Sequence, residues 1–153
     1  MTTRDLIEFC LIHEEEIKQA VFERRNDAGS GKSGGNGSGH CLVSDTTANT
    51  AIRRVEEVPC VIVEYGTALN GRRDSLTLRH PERWLKVTAW TKEHYMGNKQ
   101  GDLIRMKYCN GMTRGEICKA IGVGTSIYHV MLNDIFAFAE GIATGIGVVA
   151  PRH

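Results

Sequence analysis

The segment DAGSGKSGGNGSGH, residues 27–40, sets a Gly-Lys-Ser triplet inside a run of glycines, the composition from which phosphate-binding loops are made. Such a loop needs G-x-x-x-x-G-K-[ST] between a buried strand and a helix. The strand positions the loop, and the helix N-terminus turns free amides toward phosphate. Counting back from Gly31 and Lys32, the place of the leading glycine is taken by Asn26. The preceding IKQAVFERRND is charged and helical in pattern, and the glycines that follow cannot support a helix. Lys32 belongs to a tether rather than to a nucleotide site.

The other groups able to do chemistry are scattered. Histidines stand at 13, 40, 80, 94, 129 and 153, and cysteines at 10, 41, 60, 109 and 118. Zinc ligands come in paired short spacings that let two of them converge on one ion, and neither His40-Cys41 nor Cys109 with Cys118 matches that pattern. An odd number of cysteines without CxxC pairs fits reduced cytosolic thiols. The run His13-Glu14-Glu15-Glu16 is most simply a solvated helix face, and no Cys/His or Ser/His pair sits in the context of an activated nucleophile. The expectation is a protein that is not an enzyme and works by binding, with no cofactor and no metal.

The chain has 153 residues, 41% of them hydrophobic and 24% charged, enough for one ordinary domain with a core. No apolar stretch reaches the roughly 18 residues of a membrane-spanning helix. The N-terminus is acidic within its first turns and lacks a small-residue cleavage site, so it is not a secretion signal and the expected location is the cytoplasm. Net charge is +1 but unevenly spread. Residues 1–58 hold seven Lys/Arg against ten Asp/Glu, whereas residues 59–111 hold nine against five. A basic middle can follow a phosphate backbone, though this one is modest.

Around these groups the patterning predicts the elements. Residues 3–25 carry Leu6, Phe9, Cys10, Ile17, Ala20, Val21 and Phe22 near helical spacing, predicting one amphipathic helix capped by Thr2 or Thr3. The Gly/Ser/Asn run at 28–39 predicts a flexible linker with ends roughly 20 Å apart. Ser44 or Asp45 then caps a helix whose buried stripe is Ala48, Ala51, Ile52 and Val55. CVIVEYG, and the Asn70-Gly71 turn signal beyond it, predict a hairpin over roughly 60–79. Pro81 opens a helix carrying Trp84, Val87 and Tyr95 on one face, broken at Gly97 and Asn98. Helices over about 101–109, 113–121 and 125 to the early 140s follow, with a frayed tail, GIGVVAPRH (145–153).

The most informative stretch is MTRGEICKAIGVGTSIYHVMLNDIFAFAEG, residues 112–141. Thr113 caps a short helix, and Glu116 three residues on completes a capping box. Ile117, Cys118 and Ile121 form its inner face. Gly122 ends it in a left-handed residue, and Val123 plugs the corner. In the next helix Tyr128, Met131, Leu132, Ile135 and Ala139 point inward, leaving Thr125, Ser126, His129, Val130 and Asn133 outward. A helix-turn-helix presents the early outward residues of its second helix to base edges. Thr125, Ser126, His129 and Asn133 are therefore the candidate base contacts. Arg114, Lys119, Arg105 and Lys107, with the basic run at 72–86, are the candidate phosphate contacts. No Arg or Lys lies on that second helix, although guanine readout ordinarily uses one.

Four pieces in this order, SDTTANTAI (44–52), HPERWLKV (80–87), the corner at 112–135 and the alanine-rich FAFAEGIATGIG (136–147), resemble the late-gene transcriptional regulators of phages and prophages of the ArpU/RinA type. The resemblance covers roughly 40–147. It implies a sigma factor region 4-like helix-turn-helix, double-stranded DNA as ligand and RNA polymerase as a possible partner. Where that family carries a basic residue entering the recognition helix and another after Thr-Tyr-Tyr, this chain has Gly124-Thr125 and Val130.

The resulting expectation is a mainly α protein: an N-terminal helix (1–27), a linker (28–39), and a helical domain (40–147) with a small β-hairpin and a C-terminal helix-turn-helix at about 113–141. The N-terminal helix must cover its apolar face, which predicts a homo-oligomer formed through it. No membrane association is expected. Two alternatives to a regulator use the same corner: a DNA-packaging recognition subunit of the small-terminase class, and a protein-binding adaptor or inhibitor.

Overall fold

The structure, a computed structural model, describes residues 1–27, 56–69 and 72–150. The expected linker at 28–39 with Lys32, the helix expected after Ser44, the turn residues Asn70 and Gly71, and residues 151–153 lie outside the described residues. The fold is mainly α-helical with one two-stranded antiparallel hairpin. It separates into two compact units, one formed by Met1–Glu15 with Arg83–His153 and the other by Glu16–Glu82.

In the Glu16–Glu82 unit, β1 (Cys60–Leu69) pairs with β2 (Arg72–Arg79) as the Asn-Gly signal predicts. The register sets Val61 opposite Leu78 and Val63 opposite Leu76. Strand alternation turns Val61, Val63 and Leu78 into the core and leaves Ile62 and Glu64 exposed. Helix α2 (Glu14–Asp27) adds Ile17 and Val21 to the buried set. Glu82 ties the unit together, pairing with Arg25 and accepting from the Val58 amide at 3.0 Å. Phe22, expected on the inner face, is exposed.

The N-terminal segment is not one helix. α1 (Thr3–Ile12) ends at His13 and α2 begins at Glu14. Three successive carboxylates, Glu14 to Glu16, favour a helix N-terminus over a helix interior, because the macrodipole is positive there. α1 belongs to the same unit as the C-terminal helices and buries Ile7, Phe9, Cys10 and Leu11. These four side chains are thus covered within the chain, while Ile12 of α1 and Phe22 of α2 stay exposed.

In that unit α3 (Pro81–His94) buries Trp84, Val87, Thr88 and Thr91, and Tyr95 follows it into the core. The two threonines were not legible as core residues. Each hydroxyl donates to a carbonyl of its own helix, Thr91 to Val87 at 2.7 Å and Thr88 to Leu85 at 2.9 Å, so burial leaves neither group unsatisfied. α4 (Lys99–Ile104) runs into a single π-helical turn at Arg105–Cys109, where the Asn110 amide bonds the Arg105 carbonyl. α5 (Arg114–Ile121) and α6 (Thr125–Gly145) complete the unit.

The start of the tail is ordered rather than frayed. Past α6 the amide of Gly147 bonds the Thr144 carbonyl, and that of Val148 the Ala143 carbonyl. These are the two bonds of a Schellman cap, with Gly147 at φ 73°. Arg83 supplies a further donor, its Nη1 reaching the Ile146 carbonyl at 3.3 Å.

Candidate nucleic-acid interface

The corner forms from its local chemistry as the sequence predicts. Thr113 Oγ1 accepts from the Glu116 amide, and the Glu116 carboxylate accepts from the Thr113 amide at 2.8 Å and its hydroxyl at 2.7 Å. Those donors hold the Glu116 carboxyl below its usual pKa. Gly122 adopts φ 67°, ψ 46°, a conformation that costs any residue bearing a Cβ. The amides of Gly122 and Val123 both bond the Cys118 carbonyl, which closes α5 and turns the chain. Gly124 then starts α6 with no side-chain cap on its first-turn amides.

α6 packs through Tyr128, Met131, Ile135, Phe136, Ala139 and Ala143. Against it lie α1, α4 and α5, of which α5 buries only Ile117. Tyr95 hydroxyl donates to the Asp134 carbonyl at 3.1 Å, and the His94 ring stacks on Phe138 at 3.9 Å. The middle and C-terminal half of α6 are the scaffold. Its first turns, from Thr125 to Asn133, are presented on one side.

All four candidate base contacts, Thr125, Ser126, His129 and Asn133, are exposed on this presented part. Asn133 is already engaged: its Oδ1 accepts from Arg4 Nη1 at 3.2 Å. Ile127 and Val130 share the surface, 52% and 54% exposed, so the outward face mixes small polar groups with two large aliphatic ones.

The candidate phosphate contacts divide. Arg114 and Lys119 stand exposed on α5, beside the presented turns of α6. Arg105 is exposed but paired with Asp102 at 2.9 Å, one turn away in the chain. It borders a cleft of about 270 Å³ with Lys92, Met96 and Cys109, away from the start of α6. Lys107 has another role. Its ammonium is half-buried, paired with Glu8 of α1, and donates to Tyr108 hydroxyl at 3.2 Å. The adjoining Tyr108 is buried, and burial with the nearby Glu8 charge pushes its hydroxyl pKa up. Lys107 therefore anchors α1 instead of reaching outward. In the basic run, Arg73 and Arg79 belong to the hairpin unit, whereas Arg83 is committed to the α6 C-terminus.

Arg4 was missed by sequence reasoning. Beyond Asn133 it reaches Glu140 at 3.6 Å and lies over the Phe136 ring at 5.5 Å. The contact joins residues far apart in sequence, and no local pattern announces it. No protein-family model matches the chain, no curated protein matches it, and no solved structure matches it.

Proposed function

We propose that this chain is a DNA-binding transcriptional regulator of phage or prophage late genes, acting through the corner of α5 and α6. The observation that carries this reading is the presentation of the first turns of α6, from Thr125 to Asn133. They bear Thr125, Ser126, His129 and Asn133 outward and no acidic residue in the first turn, while exposed Arg114 and Lys119 flank them on a helix that is barely buried. A major groove accepts one helix, and its partner helix with such cations straddles the backbone. The uncapped first-turn amides of α6 suit a phosphate oxygen as well. The late-gene role and RNA polymerase as partner rest on the sequence resemblance.

The test is binding to the DNA upstream of its own gene and of the late operon, measured across a salt series. Specific binding that weakens steeply with salt is expected. Sequence-blind, salt-insensitive binding, or none, overturns the proposal.

Exposed Ile127 and Val130, on a recognition helix without arginine, favour one second reading, a protein-binding adaptor or inhibitor. Recovery of RNA polymerase by the tagged protein supports the regulator. Recovery of an unrelated host enzyme that competes with DNA supports the adaptor.

A further inference from the structure

Resting on the DNA-binding reading, we infer that Ile127 and Val130 contact thymine methyl groups, so that the corner recognises A·T pairs by their C5-methyls in place of guanine by arginine.

In the major groove guanine offers two acceptors to a bidentate Arg or Lys, adenine an acceptor and a donor to an Asn or Gln amide, cytosine a donor to a carboxylate, and thymine a methyl group to apolar side chains. α6 excludes the first option because its span, Thr125–Gly145, contains neither Arg nor Lys. The second is weakened at the only outward amide, because Asn133 Oδ1 already accepts from Arg4. The carboxylate of Asp134 lies at the far end of the presented turns, past the early positions that enter a groove. The front keeps Thr125, Ser126 and His129, polar groups that suit more than one base edge, and the aliphatic Ile127 and Val130, whose match is the thymine methyl. Val130 stands in the middle of the outward arc between Ser126 and Asn133, and Ile127 flanks it one turn earlier. Both are more than half exposed, and neither contributes to the packed face of α6. Burying them against methyl groups removes apolar surface from water on both sides, and each methyl so covered is worth about a fourfold change in affinity. Exposed Arg114 and Lys119 on the adjoining helix favour a polyanion over an apolar protein surface as the occupant.

The experiment uses the full chain and three duplexes of equal length at fixed salt: alternating A·T, the same with uracil for thymine, and alternating G·C. Uracil keeps every hydrogen-bonding group of thymine and lacks only the methyl. The expected order is A·T tightest, with uracil lowering affinity about fourfold per contacted methyl toward the G·C level. Val130→Ser and Ile127→Ser, both at exposed positions and checked for folding by circular dichroism, are expected to shrink the difference between thymine and uracil. Equal affinity for the thymine and uracil duplexes, with binding retained, overturns the methyl contact and leaves the DNA-binding reading standing. No binding to any duplex at low salt overturns both.

Discussion

α1 and α5 start alike and end differently. Each is a short helix opened by a threonine cap and a carboxylate three residues on, Thr2 with Asp5 and Thr113 with Glu116. Yet α1 buries Ile7, Phe9, Cys10 and Leu11 and is pinned by the Glu8 pair with Lys107, whereas α5 buries Ile117 and leaves Arg114, Glu116 and Lys119 in solvent. The same start signal therefore serves a brace in one place and a presented surface in the other. What separates them is the number of apolar positions behind the cap, not the cap itself.

The contrast is sharpest in thiol chemistry, since each helix carries one cysteine on its inner side. Burial pushes the Cys10 thiol from 9.0 up to about 12, which lowers its thiolate population about a thousandfold at neutral pH. Alkylation by iodoacetamide, followed by mass spectrometry, should modify half-buried Cys118 and exposed Cys109 long before Cys10. Equal rates would show that α1 detaches readily. The raised folded pKa also fixes a pH sign. The stability contributed by a neutral Cys10 is complete below the ordinary thiol value and declines as pH rises from about 9 toward 12.

Side-chain truncation comes next. Leu11→Ala in the brace should cost about 2–5 kcal/mol in urea unfolding. Arg114→Ala and Lys119→Ala on the presented helix should each stay within about 0.5 kcal/mol while weakening DNA binding and flattening its salt slope. An α5 as sensitive as α1 would erase the distinction. Gly122→Ala, which has open space around the added Cβ but keeps φ 67°, should cost about 1 kcal/mol through backbone strain alone.

The two caps should behave alike. Thr2→Ala and Thr113→Ala are each expected to lose about 1 kcal/mol. Asp5 and Glu116 both have folded pKa values lowered by bonds from their threonines. Their contribution is present above the ordinary carboxylate range and is lost as pH falls through the lowered values. A pH titration of stability in each threonine variant should show a weaker acid dependence than the parent. A small effect is also expected from Arg4→Ala. Its ion pair with Glu140 is largely exposed, so stability should change by less than about 1 kcal/mol. Under the proposed DNA-binding function, the variant leaves Asn133 Oδ1 without its Arg4 donor and should bind A·T duplexes more tightly.

Wherever chemistry is local, the sequence was sufficient. The capping box at Thr113, the left-handed Gly122, the antiparallel pairing of β1 with β2 and the start of a helix at Pro81 depend on residues close to one another in the chain, so their type and spacing carry the information. The inward stripe of α6 was legible for the same reason, as helical periodicity is a property of one segment. Tertiary contact decided the rest. Thr88 and Thr91 are core residues because neighbouring elements cover them, Lys107 is a strut because Glu8 arrives from α1, and Asn133 is occupied because Arg4 does. By itself the sequence determined where the corner starts and turns. Only packing determined which of its cations and amides stay free, because a polar side chain's partner is chosen by whichever distant segment is brought within hydrogen-bonding reach.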